Sequence, residues 1–473
     1  MIFEKNKKNL YFCVMKKIVL TSLIALSLAS CTKAPLSIYP VPSEDQLEWQ
    51  QLETYAFIHF GLNTFNDMEW GYGDTPAATF NPKDLDCDQW AATLKAAGMK
   101  GVILTTKHHD GFCLWPTKST DYNISKSPYK DGKGDVVKEL SEACKRYGLK
   151  FGIYCSPWDR NNARYAYPEY VETYHQQIQE LTSNYGSLFE FWFDGANGGD
   201  GYYGGANETR SIDHNKYYDY QRAKGTVLSM HPQAMIFGGP YQTVRWVGNE
   251  KGFAYSTNWC HVTENGTDWL PVEVDVSIRP GWFYHQNEDD KVKTVENLCD
   301  IYYNSVGHNA NLLLNFPVAL NGKIHPTDSA RAIEFHQTIT NELSHNLLAN
   351  ARVRADNERG SRYSASRVID NDPETFWATD DDYPYGTLSF SMDNPVILSR
   401  LMLQEYVKLG QRVKSFYLEG ALDGEYFPIR AYDTTTTIGY KRIVRFDPVK
   451  VDKLIVYFEE SRGPLCISNI EAY

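Results

Sequence analysis

The sequence has no excess of positive charge, no paired-cysteine motif and no long internal apolar run. Its 47 basic and 59 acidic side chains leave a formal net charge of −12 over 473 residues. Proteins that bind the phosphate backbone of nucleic acids normally carry a basic patch, so this balance argues against nucleic acid as a partner. No Cys-x-x-Cys pair occurs, which excludes zinc-ribbon and thioredoxin-like sites. Beyond the N-terminal region, no apolar run approaches the about 20 residues that a membrane-spanning helix needs.

The seven cysteines that follow residue 31 have no regular spacing. They lie at positions 87, 113, 144, 155, 260, 299 and 466. An odd number of scattered cysteines is typical of buried free thiols rather than of a disulfide framework. The aromatic content is high, with 11 Trp, 33 Tyr and 22 Phe, and ring-rich surfaces often stack on flat ligands or on sugar faces.

The first thirty residues have the pattern of an export signal. The basic start Met15-Lys-Lys17 precedes an apolar run over 18–28, which is too short to span a bilayer but has the length of a signal-peptide core. Because Met15 begins a complete signal by itself, we expect the true start there. Residues 1–30 are therefore predicted to form the signal region.

The end of this region, Leu28-Ala-Ser-Cys31, resembles a bacterial lipobox, in which the cysteine is lipidated and becomes the mature N-terminus. The resemblance implies a lipid on Cys31 and a tether over residues 31–45. It also implies a location at the bacterial cell envelope, with the membrane contacted through the lipid. The alternative is an ordinary signal peptide with an incidental cysteine.

Short apolar runs alternate with amphipathic segments between residues 46 and 346. The predicted strands cover 55–60, 101–105, 151–154, 188–193, 234–237 and 311–315, and the predicted helices cover 84–98, 135–147, 213–230, 290–306 and 327–345. Near-continuous apolar strands separated by helices indicate a parallel sheet that is buried on both faces. Seven or eight such units favour a closed (β/α)8-type barrel over an open sheet. The pattern does not locate the strand within 256–285.

The hydrophobic period changes to two after residue 347. Apolar and polar residues alternate around 388–392, 416–418 and 454–458, and Asp423-Gly424 is typical of a hairpin turn. Residues 347–473 are therefore predicted to form a β-sandwich. The predicted fold class is α/β, a (β/α)8-type barrel followed by an all-β sandwich domain.

Polar side chains follow the predicted barrel strands at the ends where catalytic groups of such barrels lie. In chain order these side chains are His59, His108, His109, Tyr154, Trp192 and Asp194. Asp194 closes an aromatic strand and precedes Gly195, so its carboxylate is expected at the barrel mouth. The alternative is a cap for the following turn.

The same histidines and carboxylates raise the question of a metal site. Adjacent His108 and His109 point in different directions on a strand, and no His-Glu-x-x-His motif occurs. Hydrogen bonding of the histidines to a polyhydroxylated ligand, among Trp70, Trp192 and Trp282, is the preferred interpretation. No metal is predicted there, and a metal site stays the alternative.

Sugar chemistry usually takes two carboxylates. If Asp194 is one of them, the candidates for the other are Glu69, Glu250, Glu264, Glu273 and Asp275. Periodicity does not choose among these residues, and each is also explained as a solvated loop charge.

Several of these residues belong to longer motifs. The motifs are His59-Phe-Gly-Leu-Asn-Thr-Phe65, Glu69-Trp-Gly71, Lys107-His-His-Asp-Gly-Phe112 and Trp192-Phe-Asp-Gly195. Across residues 45–345 they resemble glycoside hydrolase family 29, the α-L-fucosidases. Arg245-Trp-Val-Gly-Asn-Glu250, with Ser277-Ile-Arg-Pro-Gly-Trp282 and Asn309-Ala-Asn-Leu-Leu-Leu-Asn315, is similar to the subfamily that cleaves α-1,3 and α-1,4 linked fucose.

This resemblance implies a retaining mechanism with Asp194 as nucleophile and Glu250 as general acid/base, without a cofactor. It implies a fucose pocket lined by His59, Glu69, Trp70, His108, His109, Tyr154, Trp192, Arg279 and Trp282. Some relatives carry two consecutive aromatic residues where this chain has Tyr154-Cys155.

The C-terminal region carries a second resemblance. Tyr363-Ser-Ala-Ser-Arg-Val-Ile-Asp370 and Asp372-Pro-Glu-Thr-Phe-Trp377 are similar to the discoidin, or coagulation factor type C, family. Such domains often bind carbohydrate and sometimes hold a structural calcium near the Asp-rich turn. The alternative is a packing role against the barrel.

The sequence thus predicts a lipid-anchored, retaining exo-α-L-fucosidase that acts on α-1,3/1,4-fucosylated oligosaccharides or glycoconjugates. The alternatives are a broad-specificity α-L-fucosidase or another retaining glycosidase and, in a different class, a catalytically inactive glycan-binding lipoprotein. The presence of both Asp194 and Glu250 argues against the inactive protein.

Overall fold

The computed structural model describes residues 33–473. The predicted signal region, the start at Met15 and the lipidation site Cys31 lie outside the described residues. Within 33–473, no helix is long and apolar enough to cross a membrane. The seven cysteines of this part are all buried and unpaired, as their spacing predicted.

Ten strands and nine α-helices form the N-terminal part of the described chain. The strands are β1 (Thr54–His59), β2 (Gly101–Lys107), β3 (Lys150–Cys155), β4 (Leu188–Trp192), β5 (Gly199–Gly201), β6 (Glu208–Arg210), β7 (Met235–Phe237), β8 (Arg245–Trp246), β9 (Val272–Ser277) and β10 (Ala310–Pro317). The helices are α1 (Glu44–Gln50), α2 (Leu62–Asn66), α3 (Cys87–Ala96), α4 (Val136–Tyr147), α5 (Pro168–Asn184), α6 (His214–Tyr217), α7 (Tyr220–Met230), α8 (Val295–Ser305) and α9 (Pro326–Glu342).

Eight of these strands form one parallel sheet in the order β7-β4-β3-β2-β1-β10-β9-β8. A parallel bridge between Phe237 and Val244 joins the two ends of the sheet and closes the barrel. The unlocated strand is β9. The predicted barrel is confirmed, with one difference: among the described residues, no helix lies between β7 and β8 or between β8 and β9.

Local sequence explains where the helices begin and end. In α4, the Asp135 side chain accepts a hydrogen bond from the Lys138 amide, and Gly148 adopts the left-handed conformation with φ 67° after the last turn. Sequence periodicity did not predict α5. Its buried face carries Tyr170, Tyr174, Ile178 and Leu181 at helical spacing, but buried His175 and Gln177 interrupt this apolar pattern.

The C-terminal domain is an all-β, antiparallel unit with its own hydrophobic core. Its strands are β11 (Arg352–Ala355), β12 (Trp377–Ala378), β13 (Gly386–Glu405), β14 (Val413–Leu422), β15 (Glu425–Ile429), β16 (Arg442–Ser461) and β17 (Cys466–Ala472). All seven belong to one hydrogen-bonded network, in which the 20-residue strands β13 and β16 pair along their length with register shifts. Asp423 and Gly424, at φ 52° and 86°, form the predicted hairpin turn between β14 and β15.

The Asp-rich turn of this domain is held by its own side chains. The Asp370 carboxylate accepts hydrogen bonds from the Thr375 hydroxyl (2.8 Å) and the Asp372 amide (3.0 Å), and it pairs with Arg367 at 3.2 Å. Within 33–473, no group of three or more His, Cys, Asp or Glu side chains is placed to hold a metal ion. A structural calcium at this turn stays a prediction.

Candidate active site

A cavity of about 430 Å³ opens at the carboxyl ends of the barrel strands. Its wall consists of Phe57, His59, Glu69, Trp70, His108, His109, Tyr154, Trp192, Phe193, Asp194, Gly195, Ala196, Phe237, Gly238, Gln242, Trp246, Glu250, Asp275 and Trp282. The side chains below it, Tyr55, Glu190 and Glu273, are fully buried, so the cavity has a closed floor. The volume lies within the range of small-molecule sites, about 300–1,000 Å³.

Asp194 follows β4 and is fixed from two sides. The Tyr154 hydroxyl donates to Asp194 Oδ2 at 2.8 Å, and the Ala196 amide donates to Oδ1 at 2.7 Å. His109 Nε2 lies 3.9 Å from Oδ2. About a fifth of the side chain (21%) stays exposed, so the carboxylate is oriented and still reaches the cavity.

The three histidines of the cavity are neutral. Burial lowers the pKa of His59 to about 3 and that of His108 well below its usual value. Burial also lowers the pKa of His109 to about 4, although the neighbouring Asp194 acts in the opposite direction. Neutral imidazoles suit a ligand that carries hydroxyl groups rather than charge.

Neighbouring side chains select the tautomer of each ring. His59 Nδ1 faces the amide oxygen of Asn315 at 2.8 Å, so it carries the proton and leaves Nε2 as an acceptor. His108 Nδ1 faces the amide nitrogen of Asn63 at 3.3 Å, so it accepts and leaves Nε2–H as a donor. One ring therefore offers an acceptor and the other a donor. Together they can accept a hydrogen bond from one hydroxyl group of a ligand and donate a hydrogen bond to another.

Glu69 lies in the cavity wall, where backbone amides bind its carboxylate. Its carboxylate accepts from the amides of Trp282 (2.9 Å) and Phe283 (3.1 Å) and pairs with His285 Nε2 at 2.7 Å. The indole of Trp70, 54% exposed, packs edge-on against His109 with ring centroids 5.1 Å apart. Trp70 therefore forms an apolar rim beside the polar floor.

Glu250 lies on the connection between β8 and β9. Trp282 Nε1 donates to its Oε2 at 3.2 Å, and the carboxylate is otherwise exposed at the cavity. Trp282 also packs against His59, with ring centroids 5.2 Å apart. The hydrogen bond from the indole thus ties Glu250 to the histidine wall.

Each of the other candidates for the second carboxylate is bound by another side chain. Glu264 forms an ion pair with Lys414 at 2.6 Å and does not line the cavity. Glu273 lies in the barrel floor, where it accepts from Trp192 Nε1 at 2.7 Å. Asp275 lines the cavity and accepts from Trp246 Nε1 at 2.6 Å, and burial, assisted by the charge of Glu273, raises its pKa well above its usual value.

Comparison with known families agrees with this geometry. The family profile described as Alpha-L-fucosidase matches residues 36–337. The chain belongs to the α-L-fucosidases of glycoside hydrolase family 29. It is therefore a glycosidase. A second profile, F5/8 type C domain, matches residues 352–471, which confirms the discoidin resemblance of the C-terminal domain.

Individual fucosidases resemble the whole chain. Alpha-L-fucosidase 1 of Arabidopsis thaliana is 36% identical over 99% of this chain and 94% of its own length. A solved glycoside hydrolase 29 family member from an unknown rumen bacterium is 42% identical, with a TM-score of 0.84 over 93% of this chain and 78% of that one. A Ruminococcus gnavus family 29 fucosidase, solved in complex with fucose, is 31% identical, with a TM-score of 0.84 over 93% and 96%.

One predicted pocket residue of this fucosidase lies elsewhere. The Arg279 guanidinium is fully buried between Asp328 (2.8 Å) and Asp289 (2.8 Å), and it does not line the cavity. The prediction that Arg279 contacts the sugar directly is wrong, because both carboxylates occupy its donors. Arg279 instead fixes the turn that leads from β9 to Trp282.

Sequence reasoning also missed cavity residues of the fucosidase. Phe57, Phe237, Gln242 and Trp246 all line the cavity, as does Asp275, which was considered only as a second carboxylate. The period of two along the strands carried a usable signal, since Phe57 shares the inward face of β1 with His59. Gln242 has no such signal because it lies in the turn between β7 and β8.

Proposed function

We propose that this fucosidase is a retaining exo-enzyme that removes terminal α-1,3- or α-1,4-linked L-fucose from oligosaccharides and glycoconjugates. The observation that supports the proposal is the pairing of two different carboxylates in one cavity. Asp194 is oriented by two hydrogen bonds, whereas Glu250 is exposed and accepts one from Trp282. A closed floor beneath them suits a terminal sugar rather than the middle of a chain.

In the proposed mechanism, Asp194 attacks the anomeric carbon from the β face while Glu250 protonates the departing glycosidic oxygen. The product of this step is a β-fucosyl ester of Asp194 and a free aglycone. Glu250, now deprotonated, removes a proton from water as the water attacks the same carbon from the α face. Two inversions return the α configuration, and both carboxyl groups end in their original protonation states.

The pocket chemistry supports fucose as the ring that is bound. Fucose carries ring hydroxyls and an apolar C6 methyl group. His59 and His108 offer an acceptor and a donor to the hydroxyls, and the rings of Phe57, Trp192 and Phe237 offer apolar contact area. The α-1,3/1,4 preference is supported by the motif that ends at Glu250. Fucose release should be compared among α-1,2, α-1,3, α-1,4 and α-1,6 fucosylated oligosaccharides, and preferential α-1,2 or α-1,6 cleavage would contradict the proposed linkage.

The role of Glu250 is tested with Glu250→Gln, and Glu296→Gln, at the exposed start of α8, is the matched control. A sugar aglycone needs a proton to leave, so Glu250→Gln should lower kcat/KM for a Lewis-type oligosaccharide by about 10²–10⁴-fold. Fluoride needs no such proton, so kcat/KM for α-fucosyl fluoride should stay close to that of the parent enzyme. Glu296→Gln should leave both values unchanged. Equal losses of kcat/KM on both substrates would show that Glu250 is not the general acid/base.

Retention is tested by trapping and by stereochemistry. A 2-deoxy-2-fluoro-fucosyl fluoride slows hydrolysis of the ester, so mass spectrometry of the digested enzyme should find the sugar on the peptide that contains Asp194. Proton NMR should detect α-fucose as the first product. β-Fucose as the first product would establish inversion instead.

We further propose that the mature enzyme is anchored through lipidated Cys31 at the bacterial cell envelope, on the basis of the Leu28-Ala-Ser-Cys31 motif. A diacylglyceryl cysteine with an added acyl chain holds a membrane firmly, whereas one chain does so marginally. Cys31→Ser should move activity from the detergent-extracted fraction to the soluble fraction. A mature N-terminus downstream of residue 31, without acylation, would contradict the anchor.

A further inference from the structure

The connection that carries Glu250 has no described helix of its own to pack it against the barrel, although single hydrogen bonds join it to barrel residues, such as that from the Ala254 amide to the Asn304 carbonyl. It covers residues 247–271, between β8 and β9, and contains no described helix. β8 is only two residues long. Since so short a strand makes few backbone hydrogen bonds, other contacts have to fix the position of this connection, which we call the acid/base loop.

The C-terminal domain supplies such contacts from the turn between β13 and β14, which carries Gln411, and from the connection between β15 and β16, which carries Thr437. Gln411 Oε1 accepts from the Cys260 amide at 2.8 Å, and Gln411 Nε2 donates to the Asn258 carbonyl at 3.0 Å. Thr437 Oγ1 accepts from the Asn258 amide at 2.7 Å. All four residues are buried, so water does not compete for these bonds.

A second group of bonds joins the loop to the same domain next to these. Arg442 Nη1 donates to the Ser256 carbonyl at 3.0 Å, and the Thr436 hydroxyl donates to it at 2.8 Å. The Ser256 and Thr257 hydroxyls meet those of Thr434 (2.6 Å) and Thr436 (3.0 Å). The loop is thus attached to the C-terminal domain along consecutive residues.

Asn258 transmits this attachment to the barrel. Its Oδ1 accepts from Arg245 Nη2 at 3.0 Å, and its Nδ2 donates to the carbonyls of His308 (2.8 Å) and Asn309 (3.0 Å) at the start of β10. Arg245 is the first residue of β8, directly before Trp246 in the cavity wall. The contacts from Gln411 therefore reach the strand that leads to Glu250.

We propose that the C-terminal domain positions the acid/base loop, with Gln411 as a positioning residue that acts on Glu250 through Asn258 and Arg245. In this arrangement the domain takes the place of the helices that are missing after β7 and β8. This role goes beyond carbohydrate binding or passive packing by the domain. It rests on the proposed function of Glu250 as general acid/base.

The test compares Gln411→Met with Gln404→Met in the full chain. Methionine keeps the side-chain length of glutamine but removes both hydrogen bonds. Gln404 is a matched control because its amide bonds, to the Tyr440 carbonyl and from Asn469, stay within the C-terminal domain. Gln411→Met should lower kcat/KM for a fucosylated oligosaccharide by about tenfold, a part of the effect of losing Glu250. It should leave kcat/KM for α-fucosyl fluoride within about twofold, because that step needs no general acid.

Other outcomes separate the two proposals. Equal losses on both substrates, or no loss on either, would overturn the positioning role of Gln411. If Gln411→Met does not fold, Thr437→Val, which removes one bond from the Asn258 amide, decides by the same ratio. If Glu250→Gln itself shows no leaving-group dependence, the proposed function fails first. If Glu250→Gln shows the leaving-group dependence and the Gln411 and Thr437 variants do not, only the inference about the C-terminal domain is overturned.

Discussion

Removal of the Tyr154 hydroxyl tests how Asp194 is held. Tyr154 donates to Asp194 Oδ2 at 2.8 Å, and its ring is packed between His108 and Trp192, with centroids 5.8 and 5.4 Å away. Tyr154→Phe therefore keeps the packing and deletes one of the two hydrogen bonds to the carboxylate, while the bond from the Ala196 amide stays. Neutral His109 does not replace the lost donor, because its Nε2 lies 3.9 Å away.

The two steps of the proposed retaining mechanism respond differently to this loss. In the first step, Asp194 gives up its negative charge to the new bond, so a hydrogen bond to the carboxylate weakens toward the transition state. In the second step, the carboxylate regains its charge, and the same hydrogen bond strengthens. A hydrogen bond to a charged group contributes about 1.5–3 kcal/mol, so hydrolysis of the fucosyl ester should slow by about 10- to 100-fold.

Stopped-flow hydrolysis of a dinitrophenyl α-fucoside measures both steps. The variant should show a burst of about one dinitrophenolate per enzyme, a lower kcat and a lower KM, with kcat/KM changed by less than about threefold. Tyr174→Phe is the matched control, since that buried hydroxyl donates to the Cys155 carbonyl behind the barrel wall. A fall of kcat and kcat/KM by the same factor, without a burst, would refute this account of Tyr154.

Three further predictions concern other parts of the chain. Asp194→Ala should lower turnover by about 10⁴-fold or more. Added azide should restore part of the activity and yield β-fucosyl azide, identified by proton NMR. Undiminished turnover would show that Asp194 is not the nucleophile. The pKa of His109 is about 4 in the fold against an ordinary 6.5, so the contribution of this group to the free energy of unfolding falls as pH drops from 6.5 toward 4, and His109→Gln should lack that part of the pH dependence of stability. Inhibition by fucose should stay constant to about pH 5 in the same series, since the rings of the folded protein remain neutral there; a weaker inhibition already at pH 6 would refute this. If the C-terminal domain binds a structural calcium, Tm should rise when calcium is returned to the EDTA-treated chain. An unchanged Tm would contradict the calcium site.

The barrel was predictable because its strands are nearly continuous apolar runs. Buried parallel strands need apolar side chains on both faces, and helices between them need one apolar stripe, so the two patterns alternate visibly. β8 lacked this signal, since two residues are too few to show any period. α5 shows the signal only weakly, because its buried face mixes Ile178 and Leu181 with tyrosine, histidine and glutamine side chains that hydrogen-bond inside the wall.

The candidate site was predictable where a residue that lines the cavity ends a strand. His59, Trp192 and Asp194 follow from that rule, whereas Arg279 was misassigned because a motif does not show which partner a long side chain takes. The hydrogen bonds that select the tautomers of His59 and His108 come from Asn315 and Asn63. These asparagines lie 256 and 45 residues away along the chain, and only the closed barrel brings them together.

The charges around the cavity suit a transition state with positive charge on the sugar. The neutral histidines add none, and burial raises the pKa of Asp275 well above its usual value, which disfavours the charged form of this carboxyl group. Burial lowers the pKa of His285, but its hydrogen bonds to Asp67 and Glu69 outweigh this and raise it, so His285 partly neutralises Glu69. In the proposed mechanism, the oxocarbenium-like sugar then faces the oriented carboxylate of Asp194, whereas the uncharged substrate gains much less from it. A protein that only bound fucose would not need to stabilise the transition state more than the substrate, whereas catalysis depends on that difference in stabilisation.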